Sequence, residues 1–154
     1  MSTEQDRVHP SGPAEAIGLC LARFLDFSGR AGRPEFWWFF AALAVATVLM
    51  VQLDAALGLQ SIGTVLEHSR PQASVTPLFE YRLPGPIASI FLMVALLPFL
   101  AAGTRRLHDR GMSGWWLLGL MLPVAGWVVL ATFMALGGQE ADNAFGAPPM
   151  PNRG

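Results

Sequence analysis

Residues 36–53 read FWWFFAALAVATVLMVQL, an uncharged stretch bounded by Glu35 and Asp54. Two further uncharged stretches follow, at residues 83–104 and 111–139. About 20 apolar residues of α-helix cross a bilayer core about 30 Å thick, so each stretch is long enough to span it. None shows the polar stripe of period 3.6 that a helix of a water-soluble protein carries. The pattern predicts an all-α membrane protein with three transmembrane helices, at about 35–54, 86–104 and 114–136.

The composition supports this class and excludes others. The chain has 154 residues, is 53% hydrophobic and only 14% charged, whereas an average soluble domain is roughly 25% charged. The net charge of −1 disfavours a nucleic-acid binder, which normally carries a strongly basic face. The single cysteine excludes an intramolecular disulfide and a Cys-rich zinc site. We therefore predict one multi-pass membrane domain at residues 13–149, a flexible N-terminus at 1–12 and a tail at 150–154.

The third apolar stretch leaves two arrangements open, because Pro123 and Gly126 interrupt it. A single tilted or kinked helix over residues 114–136 is long enough to cross the membrane once. A shallow re-entrant hairpin that turns at Pro123 is the alternative. Two antiparallel spans would need about 40 residues, which the stretch does not contain.

A different kind of helix is predicted at residues 13–27, ahead of the first span. Gly12 can serve as its N-cap and Pro13 suits the first helical position. The segment is too short and too polar to span, so we expect an N-terminal amphipathic helix at the membrane interface. Its predicted apolar face follows the spacing i, i+3, i+4, i+7, i+8 and consists of Ile17, Cys20, Leu21, Phe24 and Leu25.

Arginines cluster before the first predicted span and between the second and third. Because basic residues near span ends favour the cytoplasmic side, the N-terminus is predicted to be cytoplasmic. Three spans would then place the C-terminus in the periplasm. Tryptophan pairs at residues 37–38 and 115–116 would lie at the cytoplasmic interface, where such rings are enriched.

Two polar segments would share that cytoplasmic face: residues 27–38, FSGRAGRPEFWW, and residues 105–116, RRLHDRGMSGWW. Guanidinium groups, glycines and two helix N-termini together suit a phosphate or carboxylate, of which an anionic lipid headgroup is the nearest example. The alternative is a purely structural role, in which the arginines set the topology and pair with neighbouring carboxylates. The candidate anion- and lipid-binding residues are Arg30, Arg33, Glu35, Arg105, Arg106, His108, Asp109 and Ser113.

Two other function classes remain open on the sequence. Asp54 and the prolines at 98 and 123 are compatible with a subunit of a transport or channel assembly. Glu35, His108 and Asp109 are compatible with an interfacial enzyme on a lipid-linked substrate. However, the sequence contains no nucleophile elbow, phosphate loop or HExxH motif, so we assign no catalytic residue, metal or cofactor. The expected partners are the lipid bilayer, anionic lipids, and a second copy or other membrane proteins.

The same two polar segments resemble the signature of a bacterial inner-membrane family, the domain-of-unknown-function 805 family. Its Phe-Ser-Gly-Arg-x-x-Arg-x-Glu-Phe/Tyr-Trp stretch is similar to residues 27–37, and its Arg-Arg-Leu-His-Asp-x-Gly-x-Ser-Gly-Trp-Trp stretch to residues 105–116. A closing Asn-x-Phe/Tyr-Gly-x-x-Pro is matched by residues 143–149, with Ala147 departing from the usual pattern. The resemblance implies a small multi-pass protein of the bacterial inner membrane and implies no specific activity.

Overall fold

The computed structural model describes residues 10, 12–59 and 84–149. The predicted flexible segments at 1–12 and 150–154 lie outside this part of the chain, apart from residues 10 and 12. The described residues fold as helices without a sheet: α1 (Pro13–Ala22), α2 (Arg33–Ala56), α3 (Pro86–His108), a 3₁₀ helix (Gly114–Met121) and α4 (Ala125–Ala135). Their contacts define two units, Met1–Ala42 with Leu96–Gly154 and Leu43–Ala95.

The two long helices, α2 and α3, match the first two predicted spans. They contain 24 and 23 residues and are strongly apolar, and at 1.5 Å per residue each is about 35 Å long. Helix α2 begins where the amide of Phe36 bonds the Gly32 carbonyl, with Pro34 in the first turn, where its missing N–H costs nothing. Both helices are therefore long and apolar enough to cross a bilayer.

Helix α1 forms as predicted at its start but ends earlier than predicted. Gly12 is its N-cap and Pro13 its first residue, and the helix ends at Ala22 rather than continuing to residue 27. Only Ala16 and Cys20 are buried, whereas Leu21, Phe24 and Leu25 are exposed. These exposed apolar side chains do not contradict the predicted location at the membrane interface, which stays a prediction. The small side chains at i and i+4 let α1 approach its neighbours closely, which leaves the large side chains outside.

The third apolar stretch is not the single helix predicted at 114–136. The 3₁₀ helix ends at Met121 and α4 begins at Ala125. Between them the Ala125 amide bonds the Pro123 carbonyl at 2.8 Å, and Val124 has φ 64° and ψ −66°. These values describe a γ-turn of the strained, positive-φ kind. Pro123 has no amide hydrogen with which to continue the helix, so the chain reverses there.

The two halves of this stretch pack against each other as a helical hairpin, which we call the 114–135 hairpin. A Cβ added to Gly126 would overlap the carbonyl oxygen of Gly119, so the backbones meet without side chains between them. The Trp127 indole nitrogen donates a 3.1 Å hydrogen bond to the Leu120 carbonyl. The structure therefore has a helical hairpin that turns at Pro123, whereas its re-entrant placement in the membrane stays a prediction.

Asp54, the carboxylate considered for a transport path, caps a helix in the second unit. Its two side-chain oxygens accept hydrogen bonds from the amides of Ile87 (3.0 Å) and Ala88 (2.9 Å) in the first turn of α3. A Cβ on Gly85 would lie 2.5 Å from the Asp54 Cγ, so only glycine fits there. These contacts give the carboxylate a structural role, because the first amides of a helix have no partner within it.

Candidate functional site

In the first unit, the arginine-rich segments meet the segment at residues 139–146. Arg30 is 5% exposed and makes contacts on every side. Its Nε donates to Asp109 Oδ1 at 3.0 Å, and its Nη1 donates to the carbonyls of Ala141 (2.9 Å) and Gly146 (3.2 Å). Its Nη2 donates to the carbonyls of Asp109 and Gln139. The guanidinium therefore binds the chain's own backbone and one carboxylate.

Arg106 is fully buried and binds the other oxygen of the same carboxylate. Its Nη1 pairs with Asp109 Oδ2, its Nε donates to the Met134 carbonyl at 3.0 Å, and its Nη2 donates to the Leu136 carbonyl. Asp109 thus bridges Arg30 and Arg106. Because a buried charge is costly unless it is paired and hydrogen-bonded, this arrangement fastens the end of α4 and the following segment to the end of α3.

Arg105 belongs to a second buried group with Glu35 and Cys20. Its Nη2 lies 3.4 Å from Glu35 Oε1 and 3.7 Å from Cys20 Sγ. Burial, and secondarily the Glu35 carboxylate, raises the pKa of the Cys20 thiol to about 12. Among the described residues, Nε and Nη1 of Arg105 have no hydrogen-bond partner. Of the three buried arginines, Arg30, Arg105 and Arg106, Arg105 is the one whose guanidinium donors are not all hydrogen-bonded to the described residues.

His108, in the segment 105–116, contacts both the segment 27–38 and the segment 139–146. Its Nδ1 lies 3.2 Å from the Gly29 carbonyl oxygen, and its ring stacks on Phe145 with centroids 3.8 Å apart and planes 5° apart. The Asn143 side chain donates to the His108 carbonyl at 2.9 Å. A carbonyl can only accept, so in the neutral ring Nδ1 carries the proton and Nε2 is the acceptor.

A shallow cleft of about 600 Å³ opens beside this histidine. Ser28 donates to the Asp26 carboxylate through its amide (2.9 Å) and its hydroxyl (2.5 Å). Partial burial acts in the opposite direction, but these hydrogen bonds hold the pKa of Asp26 below its usual value. No arginine is among the described residues that line the cleft, which are Leu25, Asp26, Phe27, Ser28, Gly29, His108, Ala144 and Phe145.

The eight predicted site residues therefore separate into distinct places. Arg30, Arg106 and Asp109 form one ionic cluster, and the pair Arg105–Glu35 forms another. The remaining three residues belong to neither cluster: His108 lines the cleft, Arg33 is exposed at the start of α2, and Ser113 caps the 3₁₀ helix by accepting from the Trp115 amide.

The three residues considered for catalysis do not form an acid–base site among the described contacts. Glu35 pairs with Arg105, Asp109 with Arg30 and Arg106, and the His108 ring with Gly29 and Phe145. No described hydrogen bond joins any two of the three side chains. Within the described ranges there is also no group of three His, Cys, Asp or Glu residues placed to hold a metal ion.

Sequence reasoning missed the contribution of residues 139–146. We predicted that this segment lies across the membrane from the arginine-rich segments. In the structure the Gln139 amide bonds the Asp109 carbonyl at 2.8 Å and Arg30 binds the Gly146 carbonyl, so this segment contacts both arginine-rich segments. The resemblance of residues 143–146 to the family's Asn-x-Phe-Gly pattern was the sequence signal for this segment. The segment supplies the Phe145 ring that stacks on His108 and the Asn143 side-chain amide that donates to the His108 carbonyl.

Comparison with known proteins identifies the family. The family model described as "Protein of unknown function (DUF805)" matches residues 24–147. The inner membrane protein YhaH of Escherichia coli K12 is 30% identical over 129 residues, which cover 84% of this chain and 91% of that protein. The inner membrane protein YhaI of the same strain is 31% identical over 129 residues, covering 84% and 90%. No solved structure matches the chain. The chain belongs to the DUF805 family and, like these relatives, is an inner-membrane protein.

Proposed function

We infer that this DUF805 protein is a non-enzymatic membrane protein that binds the headgroup of a lipid in the cleft beside His108. The observation that carries the proposal is the lining of the cleft. Phe27 and Gly29, His108, and Phe145 come from the three separate segments that resemble the family signature. A volume of about 600 Å³ lies within the usual range of roughly 300–1,000 Å³ for small-ligand sites.

The chemistry of the lining favours a headgroup that donates hydrogen bonds. The Asp26 carboxylate and His108 Nε2 are acceptors, and Phe27 and Phe145 offer aromatic rings. An ammonium group is attracted both by a carboxylate and by the face of an aromatic ring. A phospholipid with an ethanolamine headgroup therefore fits the cleft better than one with a purely anionic headgroup.

The surroundings of the cleft support its placement at headgroup depth. Leu21, Phe24 and Leu25 are exposed on and after α1, and Leu25 lines the cleft. Exposed tryptophans occur at residues 37–38 and 115–116 in the same unit. Such rings concentrate at the membrane–water interface. An amphipathic α1 on the lipid surface would bring the cleft level with the headgroups.

The test is lipid retention by the full chain purified in mild detergent and analysed by native mass spectrometry. Asp26→Asn keeps an oxygen that can accept from Ser28 but removes the charge that would bind an ammonium group. Hydrogen bonds to charged groups contribute about 1.5–3 kcal/mol, so we expect retention of phosphatidylethanolamine to fall about tenfold or more.

The matched control is Asp142→Asn, which removes an exposed carboxylate outside the cleft. It should retain phosphatidylethanolamine like the unaltered chain. Phe145→Leu should weaken retention as well, because it removes the ring that packs on His108. Equal retention by Asp26→Asn, Phe145→Leu and the control would refute the proposal.

An anionic headgroup, as predicted from the sequence, is a second candidate, and one observation favours it. The buried Arg105 keeps two donors without a described acceptor, and an unsatisfied buried donor costs about 1–3 kcal/mol. Arg33 is exposed at the start of α2 and could attract the anion. If this candidate is correct, Arg33→Gln will lower retention of phosphatidylglycerol while leaving phosphatidylethanolamine unchanged. A transport assembly or second copy as partner stays a prediction.

A further inference from the structure

We propose that the 114–135 hairpin is a re-entrant element that enters and leaves the membrane on one side, with the acyl chains of a single leaflet as its partner. Both of its ends are fixed at the C-terminal end of α3. Arg106 binds the carbonyls of Met134 and Leu136, and Arg110 donates to the Phe133 carbonyl at 3.1 Å. The first half starts at Gly114, directly after the same stretch of chain.

Each half of the hairpin is too short to cross a bilayer. Eight residues of 3₁₀ helix at about 2.0 Å per residue reach about 16 Å. Eleven residues of α-helix at about 1.5 Å per residue also reach about 16 Å. The hydrocarbon core is about 30 Å thick, so the turn at Pro123 would lie near its middle. The length of each half therefore agrees with insertion into one leaflet.

The outer surface of the hairpin is apolar from its base to its turn. Met121 is 79% exposed and Val124 is 69% exposed, both next to the turn. Trp115 is exposed at the base, where an indole would lie among the headgroups. Residues 111–139 contain no charged side chain. An apolar surface of this extent is stable in contact with acyl chains, whereas in water it would promote aggregation.

Hydrocarbon requires an internal partner for each backbone amide, and among the described contacts three of the four amides at residues 122–126 have one, the exception being Val124. The amides of Leu122, Ala125 and Gly126 bond carbonyls within the hairpin, at 3.0, 2.8 and 3.1 Å. Pro123 has no amide hydrogen to satisfy. The Trp127 indole also donates internally, to the Leu120 carbonyl. These donors do not require water.

One consequence is that residues 137–149 lie on the same side of the membrane as Arg30. With two full spans, α2 and α3, every arginine of the chain except Arg70 and Arg82 then lies on one side. This is a stronger bias than three spans would produce, since Arg153 joins the arginine-rich side. The bias agrees with a cytoplasmic location for that side.

The test combines reporter fusions with cysteine labelling in intact bacterial cells. Green fluorescent protein fused at the N-terminus and, separately, after residue 149 should fluoresce in both cases, and alkaline phosphatase after residue 149 should be inactive. For labelling, Gly137→Cys lies beyond the hairpin in open space, and Ala73→Cys lies between the two proposed spans in the sequence. A membrane-impermeant maleimide should label Ala73→Cys in intact cells and Gly137→Cys only after permeabilisation.

A third variant reports depth. Val124→Cys at the turn should resist the impermeant reagent both before and after permeabilisation, yet react in denaturant. Active phosphatase after residue 149, or labelling of Gly137→Cys in intact cells, would overturn the proposal in favour of a third full span. Labelling of Val124→Cys after permeabilisation, at the rate of Gly137→Cys, would equally overturn it by placing the turn in water.

Discussion

Asp109 carries the sharpest prediction about stability, because one carboxylate compensates two buried guanidinium groups. Its side chain pairs with Arg30 at 3.0 Å and with Arg106, and all three side chains are at most 6% exposed. Asp109→Asn keeps the shape but removes the charge and turns an amide NH₂ toward groups that only donate. Removing one partner of a buried ion pair costs about 3–5 kcal/mol. At about 2–4 °C per kcal/mol, Tm should fall by about 6–20 °C.

The assay is thermal unfolding of the full chain in detergent, followed by the fluorescence of its five tryptophans. Asp142→Asn serves as the matched control, since Asp142 is exposed and a surface change usually stays within about 0.5 kcal/mol. Arg30→Gln should be as harmful as Asp109→Asn, and the double variant should lose less than the sum of the two. A Tm for Asp109→Asn within 2 °C of the control, about the size of such a surface effect, would refute the bridging role.

Three further predictions concern positions with a clear steric or electrostatic cause. Gly126→Ala should disrupt the 114–135 hairpin, since its methyl group would overlap a backbone oxygen, and we expect faster proteolysis than for Gly137→Ala, where nothing lies within 4 Å. Gly85→Ala should lower Tm because its methyl group would displace the Asp54 side chain that caps α3. Asp54→Ala should lower the free energy of unfolding by about 1 kcal/mol, because it removes the same cap. The Cys20 thiol, with its pKa raised to about 12, should react with N-ethylmaleimide far more slowly at pH 8 than the exposed thiol of Gly137→Cys; equal rates would contradict its burial.

The two long apolar helices could be predicted from the sequence because their signal is local. An uncharged run of about 20 residues has few alternatives to a membrane helix, and α2 and α3 follow the predicted bounds closely. Which residues of α1 are buried within the protein could not be predicted in this way. Leu21 and Cys20 both fit an apolar stripe, and the choice depends on whether small or large side chains meet the neighbouring helices. In a lipid environment an exposed leucine carries no penalty, so hydrophobicity alone does not identify the buried face.

The arrangement of the third apolar stretch depends on contacts that hydropathy does not contain. Residues 114–136 have the same length and apolar character whether they cross once or return. The decisive partners are backbone carbonyls, at Met134 and Leu136, which are bound by Arg106 about 30 positions earlier. A guanidinium next to a span was interpreted as a topological signal, yet here it holds the far end of the hairpin. The arginines predicted to bind an external anion are thus largely used by the fold, and the side chains left to recognise a ligand are those of the cleft beside His108.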